Sequence, residues 1–327
     1  MSFQRPILGD PWEKLSQVAV LGAEYDSPER QPHPRLLEGS WVDLNNCILE
    51  LLDNQTKNQL IWLHGAMGVG TSAISFNVAE GMKSLQVTAE TKLEVRLGGT
   101  FFFSRGHAKR SMNGFFFATL AYQLARNFPS VRTVVNEAIR NHPALLDPGA
   151  SLRDQMEALF LRPLRALQFR LRNCPPIVFI VDALHECTSK HEVADLISLL
   201  CQVLRRPDLP RFHIQFTSGS QAHIREAFQK EEMRPLLCEI RGGSSGELLA
   251  INMASRDACI PGDLPHILDI NTTTYNACIN GDLPAAEGLL TQEIDTDINS
   301  HRAYANRAFV MARKYDWDHA LEDALKV

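Results

Sequence analysis

The chain has 327 residues, 45% of them hydrophobic and 22% charged, with a formal net charge of -5. That length predicts about two domains, each large enough to bury its own core. The mildly acidic balance excludes a broad electrostatic footprint for nucleic acid, so the expected partners are proteins or small molecules.

Residues 1–55 read as a lead-in segment: Pro28, Pro32 and Pro34 mark extended backbone, and a helix follows near residues 42–52. From residue 56 to 240, short β-rich apolar runs alternate with longer helical patterns. The runs are residues 60–63, 100–103, 177–181, 212–216 and 236–240. Between them, residues 113–126, 131–140, 152–171, 192–204 and 222–228 carry apolar side chains at helical spacing. Strands that are apolar on both faces and separated by helices predict a parallel sheet covered on both sides, a three-layer α/β fold.

Residues 241–257 read as a linker, because Arg241-Gly242-Gly243-Ser244-Ser245-Gly246 keeps the backbone flexible. Residues 258–327 are self-similar. Gly281-Asp282-Leu283 with Ala286 recurs 34 residues later as Tyr315-Asp316-Trp317 with Ala320, and this is the tetratricopeptide period. Residues 303–308, the turn at Tyr315-Asp316 and residues 317–324 read as one helix-turn-helix repeat, with Ala308 and Ala320 where two helices approach. A shorter echo of residues 258–265 at 277–284, a spacing of 19, has no physical account. Such helices stack into a concave surface for protein partners. Fewer than the roughly three repeats needed for stability are visible. The segment is therefore expected to pack on the preceding domain or to continue in a longer array, and its stop at Leu325-Lys326-Val327, in mid-repeat, is what a truncated array gives.

Seven scattered cysteines (Cys47, Cys174, Cys187, Cys201, Cys238, Cys259 and Cys278) contain no CxxC pair, which predicts neither a disulfide framework nor a zinc site. Residues 1–10 hold no apolar core of signal-peptide length. The longest aliphatic run, residues 177–181, is far below the roughly 18 needed to span a bilayer. These features predict a cytoplasmic protein in a reducing compartment, with no membrane partner.

Gly65-Ala66-Met67-Gly68-Val69-Gly70-Thr71-Ser72 follows an expected strand and opens an expected helix. Gly65, Gly68 and Gly70 allow backbone N–H groups to turn inward around a phosphate, and the helix adds its positive end. The phosphate-loop motif requires a lysine where Thr71 stands; Ser72 keeps the hydroxyl for magnesium. The octet by itself has two readings, a phosphate loop without its ammonium group or a glycine-containing strand-to-helix turn with no ligand. On the first, loss of a charge-assisted hydrogen bond worth about 1.5–3 kcal/mol weakens nucleotide binding about ten- to a hundredfold. Catalysis suffers more, because the same charge offsets what develops on the transferring phosphoryl group.

Ile177-Val178-Phe179-Ile180-Val181-Asp182 is an apolar strand ending in an acid, followed by Ala183-Leu184-His185-Glu186-Cys187. Together with residues 61–65, 101–105, 121–124, 223–228 and the lead-in Gly22-Ala23-Glu24-Tyr25-Asp26-Ser27-Pro28-Glu29-Arg30, this run resembles the fungal NACHT-type STAND NTPases, also described as nephrocystin-like N-terminal domains. The resemblance extends over residues 18–228. It implies a P-loop domain in which Ser72 and Asp182 hold magnesium and Glu186 is the catalytic carboxylate. The nucleotide, ATP or GTP with Mg2+, would be gripped by Gly65, Gly68, Gly70, Thr71, Ser72 and Asp182.

Measured against the family pattern, three departures cluster on this chemistry. Thr71 replaces the lysine, His185 replaces the second acid of Asp-Ala-Leu-Asp-Glu-Cys, and Gly219 replaces the arginine of Thr-Ser-Arg-Pro. The resemblance therefore implies a signalling or self-assembly scaffold, homo-oligomeric in some states, whose nucleotide is held weakly or not at all. Two alternatives stand beside it: a true ATP or GTP hydrolase in which Lys109 or Arg105 substitutes for the missing lysine, and a non-functional remnant of an expanded family.

Other features read as structure. Arg105, His107, Lys109 and Arg110 form a basic run with two readings, a place near phosphates or a polyanion and, the preferred one, a solvated loop; residues 101–103 and 115–117 are expected core. Adjacent His185, Glu186 and Cys187 do not converge on one metal, and neither a GxSxG elbow nor an HExxH helix occurs.

Overall fold

The computed structural model describes residues 9–35, 42–54, 56, 59–65, 70–84, 96–242, 248–253, 283–297, 300–313 and 316–326. The chain divides into two compact units, Met1–Arg256 and Asp257–Val327.

In the first unit, helix α1 (Pro11–Val18) starts where the Asp10 carboxylate accepts the Trp12 amide and Pro11 needs no partner for an N–H it lacks. Helix α2 (Val42–Asp53) leads into strand β1 (Gln59–Gly65), helix α3 (Thr71–Ser84) and strand β2 (Leu97–Phe102). Helices α4 (Phe116–Asn127) and α5 (Arg132–Asn141) follow. The lead-in is tied into this frame: the Val20 amide donates to Thr119 Oγ1 at 3.0 Å and the Tyr25 amide to Thr100 Oγ1 at 3.0 Å.

The helical pattern at residues 152–171 is not one α-helix. Helix α6 (Leu152–Gln155) passes into a π-helical segment (Met156–Leu161) and then helix α7 (Arg162–Leu167). Pro163, at the start of α7, has no N–H to continue the α-helical ladder. Strand β3 (Ile177–Asp182), helix α8 (Lys190–Leu204), strand β4 (Phe212–Gly219), helix α9 (Ala222–Phe228) and strands β5 (Leu237–Gly242) and β6 (Leu248–Met253) complete the unit.

The sheet order is β2-β3-β4-β1-β5-β6; the first five strands are parallel and β6 runs antiparallel to β5. All five expected strands form, and the three-layer α/β class holds. Strand β6 lies inside residues 241–257, the stretch expected to be a linker, so the sheet reaches further along the chain than the glycines and serines suggest.

Alternation along the strands divides the core in two. Leu60, Trp62, Phe179, Phe212, Ile214 and Phe216 pack with Phe116, Phe117 and Phe160 on one face. Ile61, Leu63, Val178 and Ile180 pack with Ile48, Leu52, Ile74 and Val78 of α2 and α3 on the other. Full burial of each such side chain is worth about 1.5–3 kcal/mol, so both faces hold the sheet.

The second unit contains helices α10 (Leu283–Thr296), α11 (His301–Arg313) and α12 (Trp317–Ala324). Ala286, Leu290 and Val310 form one small core, and Ile294, Ala303 and Tyr304 another. Arg307 joins all three helices: Nε donates to Asp323 Oδ2 at 2.7 Å, Nη2 to Asp323 Oδ1 at 2.9 Å and Nη1 to Thr291 Oγ1 at 3.1 Å. The echo of residues 258–265 at 277–284, except for its last two positions, and the turn residue Tyr315 lie outside the described residues. No described helix is long and apolar enough to cross a membrane.

Candidate functional site

Strands β1, β3 and β4 end together. Gly65 is the register partner of Gly219, and Asp182 is the last residue of β3. After β1 the chain is described again at Gly70, whose φ of 85° lies in the left-handed region that glycine enters without a Cβ clash. Its carbonyl accepts the Ala73 and Ile74 amides at 3.0 and 3.2 Å, which starts α3. Thr71 is the first residue of that helix, half-buried, and Gly68 lies outside the described residues.

The first turn of α3 carries Ser72 to Asp182: Ser72 Oγ donates to Asp182 Oδ2 at 2.7 Å. Strand β4, between β1 and β3, brings a second hydroxyl, and Thr217 Oγ1 donates to Asp182 Oδ1 at 2.5 Å. The same Thr217 oxygen accepts the Ala183 amide at 3.0 Å. Asp182, only 2% exposed, thus has each carboxylate oxygen held by a hydroxyl. Ala183 next to it has φ 54°, a conformation that costs an L-residue about 1–2 kcal/mol. Backbone strain of this kind collects at functional sites.

These donors fit magnesium. The ion takes hard oxygens and keeps several waters, using one or two protein groups plus phosphate rather than a protein cage. The Ser72 hydroxyl and Asp182 carboxylate are such a pair, and among the described residues no cluster of three or more His, Cys, Asp or Glu forms a cage. The positive end of the 14-residue α3 beside them suits an anion.

His185 and Glu186 sit in a single 3-10 turn, Leu184–Glu186. His185 Nδ1 accepts the Gly219 amide at 3.0 Å, and His185 Nε2 lies 3.4 Å from Glu186 Oε1. The other Glu186 oxygen accepts the Arg105 amide at 3.1 Å, while Arg105 Nη2 donates to the His185 carbonyl at 2.9 Å. Burial lowers the His185 pKa, opposed in part by Glu186 and Asp182. His185 and Gly219, both singled out in the sequence, are therefore in direct contact.

The basic run splits. Residues 105–109 are exposed, and Lys109 Nζ stands 5.7 Å from the Phe115 ring centroid. Arg110, expected in the solvated loop, is instead buried, with Nε donating to the Phe102 carbonyl at 3.1 Å. Phe102 is the register partner of Asp182. Arg30 of the lead-in lies over the same residue, its guanidinium carbon 3.6 Å from the Phe102 ring centroid, and Nη1 donates to the Tyr25 carbonyl at 2.8 Å. Burial pulls the Arg30 pKa down to about 10, partly offset by Asp182, and lowers that of Arg110, partly offset by Glu29 and Asp182.

Of the residues expected at the site, Gly65, Gly70, Thr71, Ser72, Asp182 and Glu186 all fall at this edge of the sheet. Thr217 and Arg30 were not expected at the site, and for Arg110 a place near phosphates was the lesser of two readings of the basic run. Each carried some signal in the sequence: Thr217 in the Thr-Ser pair beside Gly219, Arg30 in the lead-in segment that carries the family resemblance, and Arg110 in the basic run.

No curated protein gives a significant match to the chain. The family model described as nephrocystin 3, N-terminal, matches residues 38–218, from just before α2 to the end of β4, and so contains the loop, Ser72, Asp182 and Thr217. With more than half of its residues in that match, the chain belongs to the nephrocystin 3 N-terminal family.

Proposed function

We propose that the first unit is a nucleotide-responsive scaffold domain of the NACHT-type STAND kind, able to hold ATP or GTP with Mg2+ weakly and impaired in hydrolysis. The observation that carries this reading is the Ser72–Asp182 hydrogen bond of 2.7 Å at the start of α3, with Thr71 rather than lysine beside it. The oxygen pair for a magnesium ion is assembled; the ammonium group of the motif is absent.

When bound, Mg2+ would neutralise phosphate charge. The chain's own groups have separate tasks. Gly65, Gly70 and Thr71 shape the loop, Ser72 and Asp182 offer oxygens, and Thr217 orients the Asp182 carboxylate. Glu186 is the residue proposed to position water. Its engagement by the Arg105 amide, with His185 in place of a second acid, supports slow turnover. In the second unit, α10–α12 are proposed to contact a protein partner in tetratricopeptide fashion, and a cytoplasmic setting goes with this reading.

The test is direct. Binding of ATP and GTP with Mg2+, and turnover, are measured for the full chain and for Thr71→Lys. Weak binding, negligible turnover and a gain of about ten- to a hundredfold in affinity for the variant are expected. Robust turnover by the unmodified chain sinks the scaffold reading in favour of a hydrolase. Absence of binding by both proteins removes the nucleotide site altogether.

A further inference from the structure

Arg30 and Arg110 are the two guanidinium groups gathered at the carboxyl end of β2, one from the lead-in and one from the loop after β2. Arg110 is 6% exposed and donates Nε to the Phe102 carbonyl at 3.1 Å. Arg30 stacks 3.6 Å over the Phe102 ring and donates Nη1 to the Tyr25 and Glu24 carbonyls at 2.8 and 3.4 Å. Among the described residues their hydrogen bonds go to backbone carbonyls, and neither makes an ion pair with a carboxylate. An unpaired charge in a desolvated place is costly, and two of like sign side by side cost more. Carboxylates act on them at longer range, Glu29 and then Asp182 on Arg110, Asp182 and then Asp26 on Arg30; Asp182 lies across the β2–β3 register from Phe102, and its own oxygens are bonded to Ser72 and Thr217.

We propose that Arg30 and Arg110 form the cationic wall of the phosphate site and carry there the positive charge that Thr71 cannot. The proposal rests on the nucleotide-site reading above and names which residues make that site work. A purely structural clip between the lead-in and β2 would need one cation on Phe102, not two guanidinium groups buried side by side without an ion pair among the described residues. Guanidinium meets carboxylate and phosphate oxygens alike in a two-pronged fashion, and two such cations side by side fit a polyphosphate better than a monoanion. The other two cations near this edge are placed for other work: Arg105 braces the His185 carbonyl, and Lys109 reaches toward Phe115.

The experiment is calorimetric titration of MgATP and of inorganic tripolyphosphate into the full chain and into Arg30→Gln, Arg30→Lys and Arg30→Gln/Thr71→Lys, with melting temperatures for each. Arg30→Gln is expected to weaken both ligands about ten- to a hundredfold, the loss of one charge-assisted contact. Arg30→Lys should fall between it and the unmodified chain, and adding Thr71→Lys should restore at least tenfold. A folded Arg30→Gln that binds both ligands as the unmodified chain does overturns the proposal and leaves the nucleotide site standing. Absence of binding by the unmodified chain overturns that site and the proposal with it. Should Arg30→Gln not fold, Arg30→Lys decides: unchanged affinity for both ligands overturns the proposal.

Discussion

The Gly219 amide donates to Nδ1 of His185 across 3.0 Å, joining the end of β4 to the turn after β3. At this contact an imidazole nitrogen accepts a backbone amide. Nδ1 can accept that N–H only while it carries no proton, and burial, by lowering the His185 pKa, keeps it so.

His185→Ala is expected to destabilise the first unit by about 1 kcal/mol, because the Gly219 amide loses its acceptor. Gly219→Ala should cost less than about 0.5 kcal/mol. Among described glycines only Gly70 has a positive φ, and the nearest atoms to a Cβ at Gly219 are those of the Gln221 amide tip, from 2.7 Å, which can swing away. Urea unfolding of the two variants beside the unmodified chain checks the ranking.

Asp182 should separate architecture from ligand chemistry. Asp182→Asn keeps an oxygen for one of the two hydroxyls and is expected to change stability by less than about 1 kcal/mol. Asp182→Ala strands Ser72 and Thr217 and should cost about 1–3 kcal/mol. In both variants, any rise in melting temperature that MgATP gives the unmodified chain should vanish, as linkage requires when the site no longer binds. Thermal melts with and without MgATP read both effects.

Ala183 offers a test of stored strain. Its φ of 54° suits glycine, so Ala183→Gly should raise stability by roughly 1 kcal/mol despite the greater freedom it gives the unfolded chain. Its amide bond to Thr217 is kept, and nucleotide affinity should not rise. A denaturation midpoint below that of the unmodified chain would count against strain at this position.

His213 predicts the pH response. The ring is fully buried in β4: Nδ1 accepts the Gln59 amide at 3.0 Å, and Nε2, 3.0 Å from the Asn54 carbonyl, donates to it. Burial lowers its pKa from 6.5 to about 4. As pH falls below 6.5 the unfolded chain takes up a proton that the folded ring refuses. Stability attributable to His213 is thus complete above about pH 6.5 and is lost between there and pH 4, roughly 3 kcal/mol in all. Urea unfolding at pH 7.5, 6 and 4.5 should show the decline, and His213→Gln should flatten it while lowering stability at pH 7.5.

Much of this could be read along the chain. Residues 177–181 and 212–216 announce buried strands by apolar runs, and the helix at residues 222–228 falls where its spacing places it. Helical structure also forms after residue 152, but apolar spacing does not report that Pro163 breaks the α-helical ladder beside a π-helical stretch. Strand β6 was hidden for a related reason. Gly243, Ser244, Ser245 and Gly246 look flexible by composition, yet residues 248–253 find an edge partner in β5.

The amino-acid sequence by itself determined the alternation of strands and helices, the loop between β1 and α3, the missing lysine at Thr71 and the acid at the end of β3. Each of these depends on spacing within a few residues, where backbone geometry acts locally. Only the tertiary structure decided that Thr217 grips Asp182, that His185 answers Gly219, and that Arg30 and Arg110 meet at Phe102. Those partners lie far apart in the chain and are brought together by the parallel register of β2, β3, β4 and β1, a pairing that local periodicity does not encode.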